Sequence, residues 1–457
     1  MKCIKTYIVV LMVLIPMLTH AKMILPPVIA DNMVLQQKSN TALWGKATPG
    51  TKITIETSWN KKAYSVIAQG DSSWRIKIST PAAGGPYTIS FHDGEVLVLK
   101  NILIGEVWVC SGQSNMSMPV KGFKNQPVAG SEMLLQQAEN PEIRLMQIQR
   151  QYAVSPEFSC EVSPWTAATP ESVAEFSAVG YIYAKLLQEK LKVPVGIIMT
   201  AWGGTRIEAW TDPESIARPT TKITHNSPTV LYNAMINPIA GYGIKGVIWY
   251  QGEANRSNAP EYAQLMQQMV KGWRKAWNIG EWPFYYVQIA PFKYDGANNS
   301  AFLREAQFKA STSIPNCGMV VSLDVGKENF IHAPDKTTIA QRLASWALAN
   351  NYGMHKLAYA SPAYQSHTIT GDAVQISFSH AEHGLSSSGK KLQAFEIAGE
   401  DKVFHPATAA IKGATVVLKS ENVKTPVAVR YAFKDWVTGD LFNVEGLPAA
   451  PFRTDNW

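Results

Sequence analysis

The sequence has no dense block of lysine or arginine. Its 42 basic residues outnumber 35 acidic ones and give a formal net charge of +7, but the excess is scattered over 457 residues. A nucleic-acid partner calls for clustered positive charge, so that class is disfavoured. Cysteine is scarce, with four residues in all. Cys3 lies in the leader, which leaves Cys110, Cys160 and Cys317. Three scattered thiols make neither a zinc site nor a disulfide framework, although one bridge stays open in an oxidising compartment. Internal repeats and low-complexity tracts are absent. A membrane-length apolar run is missing too. Tyr7 to Leu18 is apolar but interrupted at Pro16 and short for a span. With Lys2 and Lys5 before it and Thr19-His20-Ala21 after it, this stretch reads as an export signal cut after Ala21. Residues 1–21 are therefore set apart from the fold, and the mature product is expected to be periplasmic or secreted, with no membrane span.

What remains has the make-up of a globular protein, with 46% hydrophobic and 17% charged residues. Its length calls for two or three domains. The 14 tryptophans could line a sugar site, but buried core positions account for most of them. Three textures follow one another. Residues 22–103 alternate in short runs, as in Lys52-Ile53-Thr54-Ile55-Glu56 and Trp74-Arg75-Ile76-Lys77-Ile78, and read as a small β-sandwich. Residues 104–352 alternate strand with helix. Val107 to Cys110, Val195 to Thr200, Val247 to Tyr250, Phe284 to Ile289 and Met319 to Leu323 are β-prone runs. Between them, Phe176, Val179, Ile182, Tyr183 and Leu186 fall on one helical face, and Tyr262, Leu265, Met266, Met269 and Trp273 on another. This order implies an α/β domain with a parallel sheet covered by helices on both faces. In residues 353–457 the β texture returns, most clearly at Thr415 to Leu418 and Val427 to Tyr431.

Ligands of an open parallel sheet bind beyond the carboxyl ends of its strands. The residues that follow the strands are Ser111-Gly112-Gln113-Ser114-Asn115-Met116, Trp202-Gly203-Gly204-Thr205-Arg206, Gln251-Gly252-Glu253-Ala254-Asn255, and Asp324 with His332 further along. A nucleophilic serine needs an exposing turn, free backbone N–H groups and a base. Ser114 follows the Gly112 turn and is expected to open a helix, whose first N–H groups lack internal partners. The bland explanation is that Ser111 or Ser114 caps that helix. The G-x-S-x-G pattern of a nucleophile elbow is missing. Of nine histidines, His332 alone sits beyond an α/β strand and before a helix that begins near Lys336. That placement makes it the candidate base. Gly203-Gly204 and Gln251-Gly252 can bring donors to the same point, or serve as tight turns only.

These blocks resemble the sialate O-acetylesterase family of the SGNH hydrolase superfamily. The likeness is carried by Gly105 to Met116, Gly203 to Trp210, Trp249 to Asn255 and Ile331 to Lys336, with Asp31 to Gln36, Glu445 to Pro448 and Pro451 to Arg453 at the flanks. It covers almost the whole mature chain. The resemblance implies a flavodoxin-like α/β catalytic domain flanked by N- and C-terminal β domains. It implies no metal or other cofactor, and a two-step acyl-enzyme mechanism on an acetylated sugar or glycan. By position, Ser114 is the nucleophile and His332 the base. The Ser114 N–H, the Gly204 N–H and the Gln251 amide are the oxyanion donors, with Arg206 and Asn255 on the substrate. The third triad member is open. Many SGNH enzymes place Asp three residues before the histidine, where this chain has Asn329. Glu253 is the first choice, Glu328 and Asp324 are further candidates, and a backbone carbonyl is an alternative. Glu253 is otherwise a structural carboxylate paired with Arg206 or Arg304.

The substrate is expected to be acetylated sialic acid, whose carboxylate Arg206 or Lys121 would meet. Acetylated xylan or mannan is the alternative with the same chemistry. A carbohydrate-binding protein with a dead α/β domain is the rival from another class.

Overall fold

A computed structural model describes residues 22–217, 222–297 and 299–457. The expected export segment, residues 1–21, lies outside the described residues. Five strands form the heart of the molecule: β1 (Val96–Gly112), β2 (Val195–Ala201), β3 (Gly246–Tyr250), β4 (Phe284–Val287) and β5 (Cys317–Val320). They run parallel in the order β2-β1-β3-β4-β5, the doubly wound order of a flavodoxin-like fold. A parallel strand, Asn140–Ile148, extends the sheet beside β2, and the antiparallel Val162–Ala168 closes that edge. Every residue of β2, β3 and β4 is buried. Such unbroken apolar runs are what strands covered on both faces require.

Alternate side chains of the strands enter two separate cores. Trp108, Cys110, Ile248 and Tyr250 face one side, Val107, Val109, Val247 and Trp249 the other. Helices α1 (Ala178–Leu191) and α4 (Lys336–Asn351) pack together over the first side. Helices α2 (Ala259–Trp277) and α3 (Ala301–Ser313) pack together over the second. The expected face of α2 is buried throughout: Tyr262, Leu265, Met266, Met269 and Trp273. On α1 the match is partial, because Ser177 caps the helix and Phe176 falls before its start. Helix α4 begins at Lys336 because the Asp335 carboxylate accepts the Thr338 N–H at 2.9 Å. Seven tryptophans are fully buried: Trp74, Trp108, Trp165, Trp210, Trp249, Trp273 and Trp277. With Trp44 and Trp282 also buried in the core, nine of the 14 indoles are core.

Strand β1 runs through two regions. Its first half pairs antiparallel with Gly84–His92 and parallel with Val34–Gln36, and its second half pairs with β2 and β3. Residues 103 and 104, where the texture of the sequence changes, are neighbours inside this one strand. The amino-terminal β region is therefore hydrogen-bonded to the rigid strand that carries the site. After α4, two four-stranded antiparallel sheets follow. One holds Ala363–Thr370, Ala373–Ser379, Thr415–Lys419 and Thr408–Lys412, the other Phe404–Pro406, Phe395–Ala398, Ala428–Tyr431 and Phe452–Arg453. Arg453 ties the second sheet to α3 by a two-pronged pair with Glu305, at 3.1 and 3.2 Å.

The open possibility of a disulfide does not hold. Cys110, Cys160 and Cys317 are all free thiols, and burial pushes each of them up, to about 12 for Cys160 and Cys317. Among the described residues, no helix is long and apolar enough to cross a membrane.

Candidate active site

Strand β1 delivers the serine segment to the carboxyl edge of the sheet between β2 and β3, its two neighbours, beside the β1/β3 switch point. Gly112 has φ 136°, and a Cβ there would lie 2.2 Å from the Tyr250 carbonyl oxygen, so only glycine fits this turn. The short helix Ser114–Ser117 opens immediately after. Its cap is Gln113, whose carbonyl accepts the N–H groups of Met116 and Ser117 at 3.0 and 2.9 Å. The Ser111 hydroxyl donates to the Thr200 carbonyl at 2.6 Å. Neither serine caps the helix, so the bland explanation for this segment fails. Among the described residues, the Ser114 hydroxyl has no hydrogen-bond partner, and the N–H groups of Ser114 and Gly204 meet no backbone acceptor.

The chain leaving β2 passes directly over this turn. A Cβ on Gly203 would stand 3.1 Å from Ser114 Cβ, and Gly204 takes φ 72°. Asn226 fixes this loop by donating to the Gly204 carbonyl at 3.0 Å and accepting the Arg206 N–H at 2.8 Å. His225 stacks on Trp202 with ring centres 4.9 Å apart. It therefore stands beside this loop, which its position in a polar stretch of sequence did not suggest.

His332 comes from the loop between β5 and α4. Asn115, the residue after Ser114, donates to the carbonyl of Ile331, the residue before His332, at 3.1 Å. The serine turn and the histidine loop are thereby held side by side. The imidazole Nδ1 is hydrogen-bonded to Gln126 Oε1, and the ring packs edge-on against Phe123 at 5.2 Å. Gln126 has only an acceptor at that atom, so Nδ1 carries the proton and Nε2 keeps a free lone pair. Burial pushes His332 down to about 4, and the Lys336 charge pushes the same way. The ring is thus neutral at physiological pH, the form a general base needs. The Ser114 hydroxyl and the imidazole are not hydrogen-bonded to each other in this structure, and such contacts often close only with substrate present.

None of the four expected side chains is hydrogen-bonded to the His332 ring, and among the described residues no backbone carbonyl is either. Glu253 Oε1 accepts instead from Asn115 Nδ2 at 2.6 Å. Its other oxygen is buried and, among the described residues, without a partner. Burial raises the Glu253 carboxyl, opposed by that hydrogen bond and by Lys336 and Arg256. Asp324 is engaged by Arg342 in a two-pronged pair at 2.7 and 2.6 Å, and Glu328 by Lys293 at 3.3 Å. Asn329 is exposed. Gln126 takes the place expected of a carboxylate. The alternative pairing of Glu253 also fails, because Arg206 binds Glu208 at 2.9 Å and Arg304 binds Ser300 Oγ at 3.1 Å and the Lys434 carbonyl.

Two further expectations need correcting. The Gln251 amide spends its donors on the Thr205 carbonyl at 2.9 Å and Asn255 Oδ1 at 2.7 Å, while its oxygen accepts from Tyr262 at 2.7 Å. With both N–H groups occupied it has none to aim at an oxyanion. Asn255 is wholly buried and bonds to Ile207 N–H and Glu208 at 2.9 and 2.8 Å, so it braces the wall rather than meeting substrate. Arg206 keeps 37% of its side chain exposed beside Glu208. Lys121 is held in an exposed pair with Glu175 at 2.5 Å.

The sequence also gave no role to Gln126, Phe123, Asn115 or Lys336. Asn115 and Lys336 lie in the family-like segments Gly105 to Met116 and Ile331 to Lys336, which is the signal that could have found them. Gln126 lies in a polar turn between Gly122 and Pro127, where periodicity says nothing.

The family model "Carbohydrate esterase, sialic acid-specific acetylesterase" matches residues 104–351. The chain belongs to this family. A member of it is an esterase hydrolase, and the rival of a non-catalytic binding protein falls away. Sialate O-acetylesterase from Homo sapiens is 28% identical, covering 93% of this chain and 91% of that one. The Mus musculus protein of the same name is 26% identical, over 89% and 88%. A carbohydrate acetylesterase from Xanthomonas citri, known as a crystal structure, aligns with a TM-score of 0.89 at 35% identity, covering 95% of this chain and 100% of that one. The esterase family thus extends to both flanking β regions and not only to the α/β core.

Proposed function

We propose that this esterase removes O-acetyl groups from sialic acid through an acetyl-serine intermediate, with Ser114 as nucleophile and His332 as base. The observation that carries the reading is the Asn115 bridge, which sets the Ser114 turn beside the His332 loop at the switch point of the sheet. His332 Nε2 takes the proton from Ser114 Oγ as that oxygen attacks the acetyl carbonyl. The same proton passes to the sugar oxygen as the ester C–O bond breaks and the deacetylated sugar leaves. Water, activated by His332, then attacks the acetyl-serine, releasing acetate and restoring the hydroxyl. A positioned base of this kind contributes about 10²–10⁴-fold. The N–H groups of Ser114 and Gly204 are the oxyanion donors, each worth about 10²–10³-fold. Gln126 orients the imidazole.

Names of full-length relatives support sialate as the substrate, and Arg206 offers a partly exposed guanidinium for its carboxylate. The Xanthomonas citri structure, described only as a carbohydrate acetylesterase, leaves acetylated xylan or mannan as a second reading. Turnover of O-acetylated sialic acid and of acetylated xylan, compared on one preparation, decides between them. Faster release from xylan would overturn the sialate assignment.

We also propose that the chain is exported, a reading supported by Lys2 and Lys5 preceding an apolar run that ends before Ala21. Intact mass of the protein from its native host tests this. A mature chain that still begins at Met1 would refute it.

A further inference from the structure

Lys336 is 1% exposed, and an ammonium this deep requires partners to offset its lost hydration. Its Nζ donates to Asn115 Oδ1 at 2.6 Å and lies 5.7 Å from the centre of the Tyr250 ring. The Asn115 amide faces three ways: Oδ1 to the ammonium, Nδ2 to the Glu253 carboxylate at 2.6 Å and to the Ile331 carbonyl at 3.1 Å. This fixes the amide's orientation. Turned over, it would set donors against the ammonium and its oxygen against two acceptors.

We propose that Lys336 is a positioning residue for deacetylation: through Asn115, and balanced by Glu253, it locks the turn that bears Ser114 to the loop that bears His332. The inference rests on the Ser114 and His332 reading above. It gives Glu253 a different task from the expected one, as counter-charge to a buried cation.

Two opposite buried charges on either side of one amide stabilise each other through its dipole. Removing one of them strands the other. The groups coupled to Lys336 are Glu253 from the turn after β3, itself under the Arg256 charge, Tyr250 from β3, His332 from the preceding loop, and Asp335 at the cap of α4. Burial pulls the ammonium below its ordinary range, while Glu253 and Asp335 pull it back. Its charge also helps hold the proton off His332. The lock and the base therefore share one electrostatic element.

Lys336→Met tests this in the full chain with para-nitrophenyl acetate. The expected result is a fall in kcat of about 100-fold, as for a misplaced reacting group, with KM within about twofold. The acidic limb of the kcat/KM profile should rise from about 4 but stay below the ordinary histidine value of about 6.5, because burial still acts on the ring. The double variant Lys336→Met/Glu253→Gln strands no charge. It should melt above the single variant yet remain slow, with the limb still raised. Wild-type kcat and an unmoved limb in either variant overturn the proposal. Loss of fold in both also overturns it, because Lys336 would then hold the fold and not the site. Hydrolysis that persists in Ser114→Ala removes the underlying reading instead, whatever Lys336→Met does.

Discussion

Asn115 Nδ2 donates to the Ile331 carbonyl at 3.1 Å, joining neighbours of Ser114 and His332 that are 216 positions apart in the chain. One side-chain amide thus turns two distant motifs into a single site. The same amide meets Lys336 and Glu253, so these two buried charges bear on the register between nucleophile and base.

His332 should act as a neutral base to unusually low pH. Burial disfavours its protonated form and holds it down at about 4, whereas the unfolded ring takes its proton near about 6.5. The acidic limb of kcat/KM is therefore expected near about 4. Between these two values the unfolded chain binds the extra proton. Stability contributed by this group falls as pH drops from about 6.5 towards about 4 and levels off below. A rate profile from pH-jump assays checks the limb, and one centred near about 6.5 would contradict it.

Gln126 should matter through orientation alone. Gln126→Ala is expected to lower kcat by about 10- to 100-fold, part of what a positioned base supplies, with KM little changed. Gln126→Glu sets a carboxylate against Nδ1, which favours the imidazolium and moves the acidic limb upward. Steady-state kinetics of both variants across pH provide the check. Equal limbs in wild type and Gln126→Glu would dissociate this residue from the base.

Gly112→Ala should abolish activity. Its Cβ would meet the Tyr250 carbonyl at 2.2 Å in a φ of 136°, forcing strand β1 away from β3 where Ser114 is presented. Circular dichroism and esterase assay of purified variant would show at most a folded, inactive protein.

Asp324→Asn should separate stability from chemistry. The carboxylate pairs with Arg342, itself 9% exposed, and breaking a buried pair from one side costs about 3–5 kcal/mol, less here because Asp324 is partly exposed. A lowered melting temperature with unchanged kcat is expected. A kcat loss without thermal change would return Asp324 to the catalytic candidates.

Strands β2 to β5 were legible because each is a short, mostly apolar and buried run, whereas the parallel strand Asn140–Ile148, interrupted by Glu142, Arg144 and Gln147, gave no such signal. Periodicity likewise exposed α2, whose buried face is continuous. Strand β1 was harder: half of it serves the amino-terminal β region, so a change of texture at residues 103 and 104 marks a shared strand rather than a gap. In the site, position along the chain pointed to Ser114 and His332, since both follow strand ends. It did not show hydrogen-bond partners. Gln251 and Asn255 are polar and near the rim, yet their donors are consumed internally. Gln126 reaches His332 from a turn without pattern. Which polar groups near a crevice stay unspent is a property of three-dimensional closure.

The most direct test is acetate release from O-acetylated sialic acid by the wild type and by Ser114→Ala, at matched folded concentration. The account predicts that the variant loses at least about 10³-fold in kcat, leaving only what oxyanion donors and binding supply. Hydrolysis by Ser114→Ala within about tenfold of wild type would contradict it.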